Sequence, residues 1–127
     1  MNKEEQEIIA ANDPSMSYHY CYRNGNKADI KAHEKIMLRC EPSTRNMQFF
    51  VLFATKIRCE NSILFEKKII DYGDAFYCYY FALNNLLSNK DLLFKKILES
   101  KNIDIIKRFY NEVDFDKTKY ETLMLFI

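Results

Sequence analysis

The chain has 127 residues, with 19 lysines and arginines against 18 aspartates and glutamates, for a net charge of +1. At 48% hydrophobic and 29% charged residues it has the make-up of a folded domain. That argues against disorder and gives no general drive towards nucleic acid or an anionic membrane. No apolar run reaches the roughly 18 residues a bilayer span needs. The polar start "MNKEEQEIIAANDP" lacks a signal-peptide core, so the expected compartment is the cytoplasm and no membrane partner is expected.

In chain order, Asp13-Pro14 reads as an N-cap followed by proline at the first helical position. Asn24-Gly25 supplies a turn. "HEKIM" at 33–37 opens a short motif that returns as Glu66-Lys67-Lys68-Ile69 and as Phe94-Lys95-Lys96-Ile97, at offsets of 32 and 28 residues. Ahead of the last two copies, Phe53-Ala54 and Phe81-Ala82 also lie 28 apart, each alanine 12 residues before its motif. Tyr22 stands 12 before Glu34, Glu5 to Ile8 forms an earlier copy, Phe109-Tyr110 a later one, and Glu121 to Met124 the last. Phe49, Phe50, Phe53 and Ala54, and again Phe76, Tyr77, Tyr80 and Phe81, predict wide apolar stripes at helical period. Gly73-Asp74 ends one helix and starts another, and Ser88 with Asp91 reads as a capping pair. In the run that follows, Leu92, Leu93 and Ile97 face inward and the lysines outward.

The expected fold is all-α: a short α-solenoid-like array of antiparallel helix pairs, about eight helices, in one domain spanning 1–127. Its approximate repeats are 1–13, 14–41, 42–72, 73–101 and 102–127. A pair this short cannot bury its apolar face alone, so neighbours must stack. The competing expectation is a β-rich N-terminal half, since "SMSYHYCY" and "MQFFVLFATKI" are rich in strand formers.

Phe81-Ala82, Glu66 to Ile69 and Asp13-Pro14 together carry a resemblance. The pattern is similar to degenerate short two-helix repeat arrays of bacterial, phage and large-virus proteins, across nearly the whole chain. The resemblance implies a helical stack without shared catalytic residues, working as an adaptor or as an inhibitor of a host protein. The sequence departs from it at Phe94, where the acidic residue is lost, and at Tyr22 and Tyr110, where the alanine is lost. Residues 72–127, from "YGDAFYCYYFALNN" to "DFDKTKYETLM", more weakly resemble N-glycosidases acting on ADP-ribose conjugates. That resemblance implies a catalytic acid, for which Asp71 and Asp74 are the nearest carboxylates; none lies between Ala75 and Lys90.

Chemistry-bearing residues are sparse. Cys21, Cys40, Cys59 and Cys78 fall 19 residues apart without any C-x-x-C, which reads as reduced thiols. His19, Cys21, His33 and Cys40 match no compact zinc knuckle, and no metal is expected. Glu34, Glu66 and Glu121 recur because the unit recurs, which points to a structural role. Two glycines cannot build a phosphate loop, so no cofactor and no catalytic residue is assigned. Lys35, Lys67, Lys68, Lys95 and Lys96 would form a basic ridge in stacked repeats. Interleaved acids and inward aromatics argue against nucleic acid as its partner. The stretch "YETLMLFI" gives the strongest functional signal: Tyr120, Leu123, Met124, Leu125, Phe126 and Ile127 read as an interface, for a protein partner or for a homodimer through the C-terminal helix.

Overall fold

The computed structural model describes residues 1–127. It contains nine α-helices and no strand: α1 (Lys3–Ala11), α2 (Pro14–Asn24), α3 (Ile30–Arg39), α4 (Thr44–Lys56), α5 (Ser62–Tyr72), α6 (Ala75–Asn84), α7 (Lys90–Ser100), α8 (Ile103–Glu112) and α9 (Glu121–Met124). Two 3-10 turns, Gly25–Lys27 and Thr118–Tyr120, complete it. None of the helices is long and apolar enough to cross a membrane. The chain divides into two compact units, Met1–Ile69 and Ile70–Ile127, with the division inside α5.

The strand formers of 15–22 and 47–57 lie in α2 and α4. Capping explains where these helices begin. Asp13 accepts from the Ser15 N–H at 2.9 Å ahead of Pro14, and Ser43 accepts from the Asn46 N–H at 3.0 Å. The same device opens α3 at Asp29, α6 at Asp74 and α8 at Asn102. At α7 the cap is Asn89, which accepts from Leu92 N–H at 3.1 Å, while the Ser88 hydroxyl donates back to the Asn85 carbonyl. The Ser88/Asp91 capping pair expected there does not form. An Asx side chain one residue later reaches the free N–H groups more directly.

Burial repeats along the chain more strictly than the aromatic pairs do. In α2 the buried residues are Pro14, Ser17, Tyr18, Tyr20 and Cys21; in α4, Met47, Phe50, Val51, Phe53 and Ala54; in α6, Ala75, Cys78, Tyr79, Phe81 and Ala82. Each α4 position lies 33 residues after its α2 counterpart, and each α6 position 28 after that. The stripe expected at Phe76, Tyr77, Tyr80 and Phe81 is thereby corrected. Only Phe81 is buried, Phe76 is 48% exposed, and the buried set sits in the 28-residue register. Likewise Tyr20-Cys21, not Tyr22, matches Phe53-Ala54, and Tyr22 is 65% exposed.

In the N-terminal unit α2 packs on α1, α3 and α4, with Met37, Met47, Phe50, Phe53, Phe65 and Ile69 fully buried and the Phe53 and Phe65 rings stacked at 5.7 Å. In the C-terminal unit α6, α7 and α8 pack mutually around Phe81, Leu93, Phe94, Ile97 and Phe109. Each fully buried side chain of this kind contributes about 1.5–3 kcal/mol. The two glycines serve backbone geometry: Gly25 ends α2 at φ +54°, ψ −126°, and Gly73 turns between α5 and α6 at φ +80°. A Cβ on Gly73 would also lie 3.0 Å from the Lys96 Cε.

Candidate functional site

A short polar network runs through the core of the N-terminal unit. Glu5 of α1 is 2% exposed, and its Oε2 accepts the Asp29 N–H at 2.7 Å while facing His33 Nε2 at 2.9 Å. His33 Nδ1 lies 3.0 Å from the Ser17 hydroxyl, and the Tyr20 ring stacks on the imidazole at 5.4 Å. With Glu5 accepting from both neighbours, the imidazole proton sits on Nε2, and Ser17 donates to Nδ1 in the neutral form. Serine, histidine and carboxylate stand in line as in a nucleophilic triad. Yet Ser17 and His33 are 0% exposed, so no substrate carbonyl can reach the hydroxyl. The network instead fixes the turn that precedes α3. His33 is therefore committed to this buried network and does not face solvent as a helix-surface residue would.

Glu34 performs the same task one helix pair later. At 3% exposure, its Oε1 accepts the Glu60 and Asn61 N–H groups at 2.8 and 2.9 Å, and its Oε2 accepts the Asn61 side-chain amide at 3.0 Å. Both glutamates reach forward, by 24 residues from Glu5 and by 26 and 27 from Glu34, to the start of a helix with the next odd number. In the corresponding place of α7 stands Phe94. Its ring meets Phe115 at 5.2 Å and Tyr120, 26 residues on, at 4.7 Å. An aromatic contact thus replaces the carboxylate in holding the following turn. The Tyr120 hydroxyl adds a 2.6 Å hydrogen bond to Asp91, which also meets Lys119 at 2.9 Å and Lys95 at 3.3 Å. These partners, Tyr120 first, hold the Asp91 carboxyl at about 2. Burial, then Asp91, pushes the Tyr120 phenol up to about 12.

Among the residues read as an interface, Tyr120 is 7% exposed and packs within its own unit. Leu123, Leu125 and Phe126 face solvent at 42%, 81% and 83%, while Met124 and Ile127 are half-buried. The lysine pairs split. Lys67 and Lys95 are exposed, as is Lys35. Lys68 turns inward, donating to the Cys40 carbonyl at 2.6 Å with its ammonium 4.6 Å from the Phe50 ring, and burial lowers its pKa. Lys96 is half-buried beneath Gly73 and meets Glu99 at 3.2 Å.

No group of three or more histidine, cysteine or acidic side chains is placed to hold a metal. His19 is exposed against Phe49, Cys21 is buried, and both nitrogens of His33 are engaged. Burial pushes the Cys21 and Cys78 thiols up to about 12 and that of Cys59 to about 11, so none is an activated nucleophile. Asp74 is occupied as the cap of α6, accepting Tyr77 N–H at 3.1 Å.

The surface of the N-terminal unit carries shallow depressions. One, of about 530 Å³, is lined by Asn12, Asp13, Arg39 and Arg45, which already pair with each other: Arg39 with Asn12 at 2.8 Å and Arg45 with Asp13 at 3.1 Å. Another, of about 260 Å³, lies where the C-terminal ends of α2 and α4 meet the start of α3. Ile30, Ile57 and the buried Cys21 supply its apolar lining, and Tyr22, Asn26, Lys56 and Arg58 its polar rim. Sequence reasoning passed over this second set, because its members come from loops and helix ends without any periodic signal. Comparison with family models, curated proteins and solved structures finds no match for the chain.

Proposed function

We propose that the chain is a protein-binding module without catalysis of its own, built as a stack of antiparallel helix pairs. The observation that carries this reading is a contrast between interior and surface. The buried polar side chains Glu5, Ser17, His33 and Glu34 are all engaged in holding the chain's own turns, and every buried side-chain nitrogen and oxygen has a hydrogen-bond partner. Leu125 and Phe126 remain more than four-fifths exposed, an arrangement that a docking partner would relieve. The repeated burial register of α2, α4 and α6 supports the stacked pairs, because equivalent faces then recur in equivalent surroundings. A basic ridge has less in its favour, since Lys68 and Lys96 are drawn inward.

The test is affinity capture by the full chain and by the double variant Leu125→Asp/Phe126→Asp, with far-UV circular dichroism confirming that both are equally helical. The reading expects a stoichiometric protein, or a second copy of the chain, retained by the first and lost by the second. Retention of the same protein by both moves the interface elsewhere. Retention of none by either ends the reading.

A further inference from the structure

The recess between α2, α3 and α4 is lined by cations and by no carboxylate. Its rim carries Lys56 and Arg58, both exposed, neither with a carboxylate partner, and no acidic residue lines it. The carboxylates of the surrounding elements have other occupations. Glu5 and Glu34 are buried in their turn contacts, Asp29 caps α3 through Ala32 N–H at 3.3 Å, Glu60 meets Lys31 at 3.6 Å, and Glu4 meets Arg23 at 3.3 Å. The helix dipole accounts for a cation at Lys56, in the last turn of α4. It does not account for Arg58, which lies beyond the helix end, or for Asn26, which also lines the recess. Ile30 and Ile57 are among the lining residues, so an anion carried on a short aliphatic stem would bury its methylenes against them while its charge meets Lys56 and Arg58. A volume of about 260 Å³ lies below the roughly 300–1,000 Å³ usual for small-molecule and cofactor sites, and suits one inserted side chain.

We propose that this recess receives the acidic side chain, glutamate or aspartate, of a protein partner. The inference rests on the protein-binding reading and adds to it the chemistry of one contact, at a site separate in sequence from Leu125 and Phe126. Arg58 forms the forked contact with the carboxylate, Lys56 adds a second charge, and Tyr22 forms the aromatic wall beside the stem.

The experiment titrates N-acetyl-glutamate N-methylamide into the 15N-labelled full chain and follows amide shifts at low ionic strength. N-acetyl-glutamine N-methylamide serves as the neutral isostere. Expected are saturating shifts clustered at Gly25, Asn26, Ile30, Ile57 and Arg58, with affinity on the order of millimolar. The affinity should fall at least five-fold in K56Q/R58Q and in 0.5 M salt, while the charge-matched variant K35Q/K107Q behaves as wild type. Equal shifts from the glutamine compound overturn the proposal, as does undiminished binding by K56Q/R58Q. This titration needs no partner, so its failure leaves the capture experiment standing. A positive titration in a chain that captures no protein overturns the assignment to a partner's side chain.

Discussion

Replacing Glu34 by alanine removes the acceptor for the Glu60 and Asn61 N–H groups, at 2.8 and 2.9 Å, for the Asn61 side-chain amide at 3.0 Å, and for the Cys59 thiol. Each hydrogen bond to a charged group contributes about 1.5–3 kcal/mol, and a donor left buried without a partner costs about 1–3 kcal/mol. Glu60 and Asn61 are themselves exposed, so water recovers part of the loss. The expected destabilisation is therefore about 2–4 kcal/mol, a large fraction of the roughly 5–15 kcal/mol that holds a domain folded. Glu34→Gln keeps one oxygen for the two backbone donors, and Asn61 can turn its amide to suit, so about 1 kcal/mol is expected there. Urea unfolding followed by circular dichroism measures both variants, with an unchanged m-value confirming that stability alone has moved. Hydrogen exchange should show the Glu60 and Asn61 amides protected in the wild type and open in Glu34→Ala. Equal stability of the two variants, or fast exchange of both amides in the wild type, would refute the claim that Glu34 holds this turn.

Three further outcomes concern other parts of the chain. Phe94→Glu places a carboxylate where Phe109, Phe115 and Tyr120 surround the side chain, and burying that charge without a donor should cost more than about 3 kcal/mol by urea unfolding. Cys21 and Cys78, buried with thiols pushed to about 12, should stay unmodified by a thiol reagent under native conditions and react fully in guanidinium; Cys40 and Cys59, half-buried, should react at intermediate rates. The Asp91–Tyr120 contact should leave a two-sided pH signature. Asp91 titrates near 2 when folded, below its ordinary value, so its contribution is present above about pH 4 and lost as pH falls through 2. Tyr120 titrates near 12, above its ordinary value, so its contribution is present below about pH 10 and lost as pH rises through 12. The stability gap between wild type and Tyr120→Phe should accordingly be widest between these limits and close towards both.

The helices were readable because caps and apolar spacing agree locally. Asp13-Pro14 and Gly73-Asp74 mark real helix ends, and Phe53-Ala54 with Phe81-Ala82 gives the 28-residue step that the buried faces of α4 and α6 obey. Tyrosine misled the finer register. Its ring is apolar and its hydroxyl wet, so an exposed Tyr22 and a half-buried Tyr80 satisfy a hydrophobic pattern as readily as Tyr20 and Tyr79 do from inside. Recurrence of Glu5 and Glu34 was visible, but not their purpose. A carboxylate that accepts backbone N–H groups 24 to 27 residues ahead has the same local sequence as one facing water. The Ser17–His33 contact spans 16 residues and two helices, and no local spacing encodes it. Nor did "YETLMLFI" distinguish Tyr120, which turns in to Phe94 and Asp91, from Leu125 and Phe126, which turn out.

Binding through the exposed apolar residues near 125 is best tested by placing a photo-crosslinking p-benzoylphenylalanine at Phe126, with the same substitution at the exposed Asn111 as reference. Irradiation in the native cell extract should give one discrete protein adduct from position 126 and none from position 111. No adduct at 126, or the same set from both positions, would contradict it.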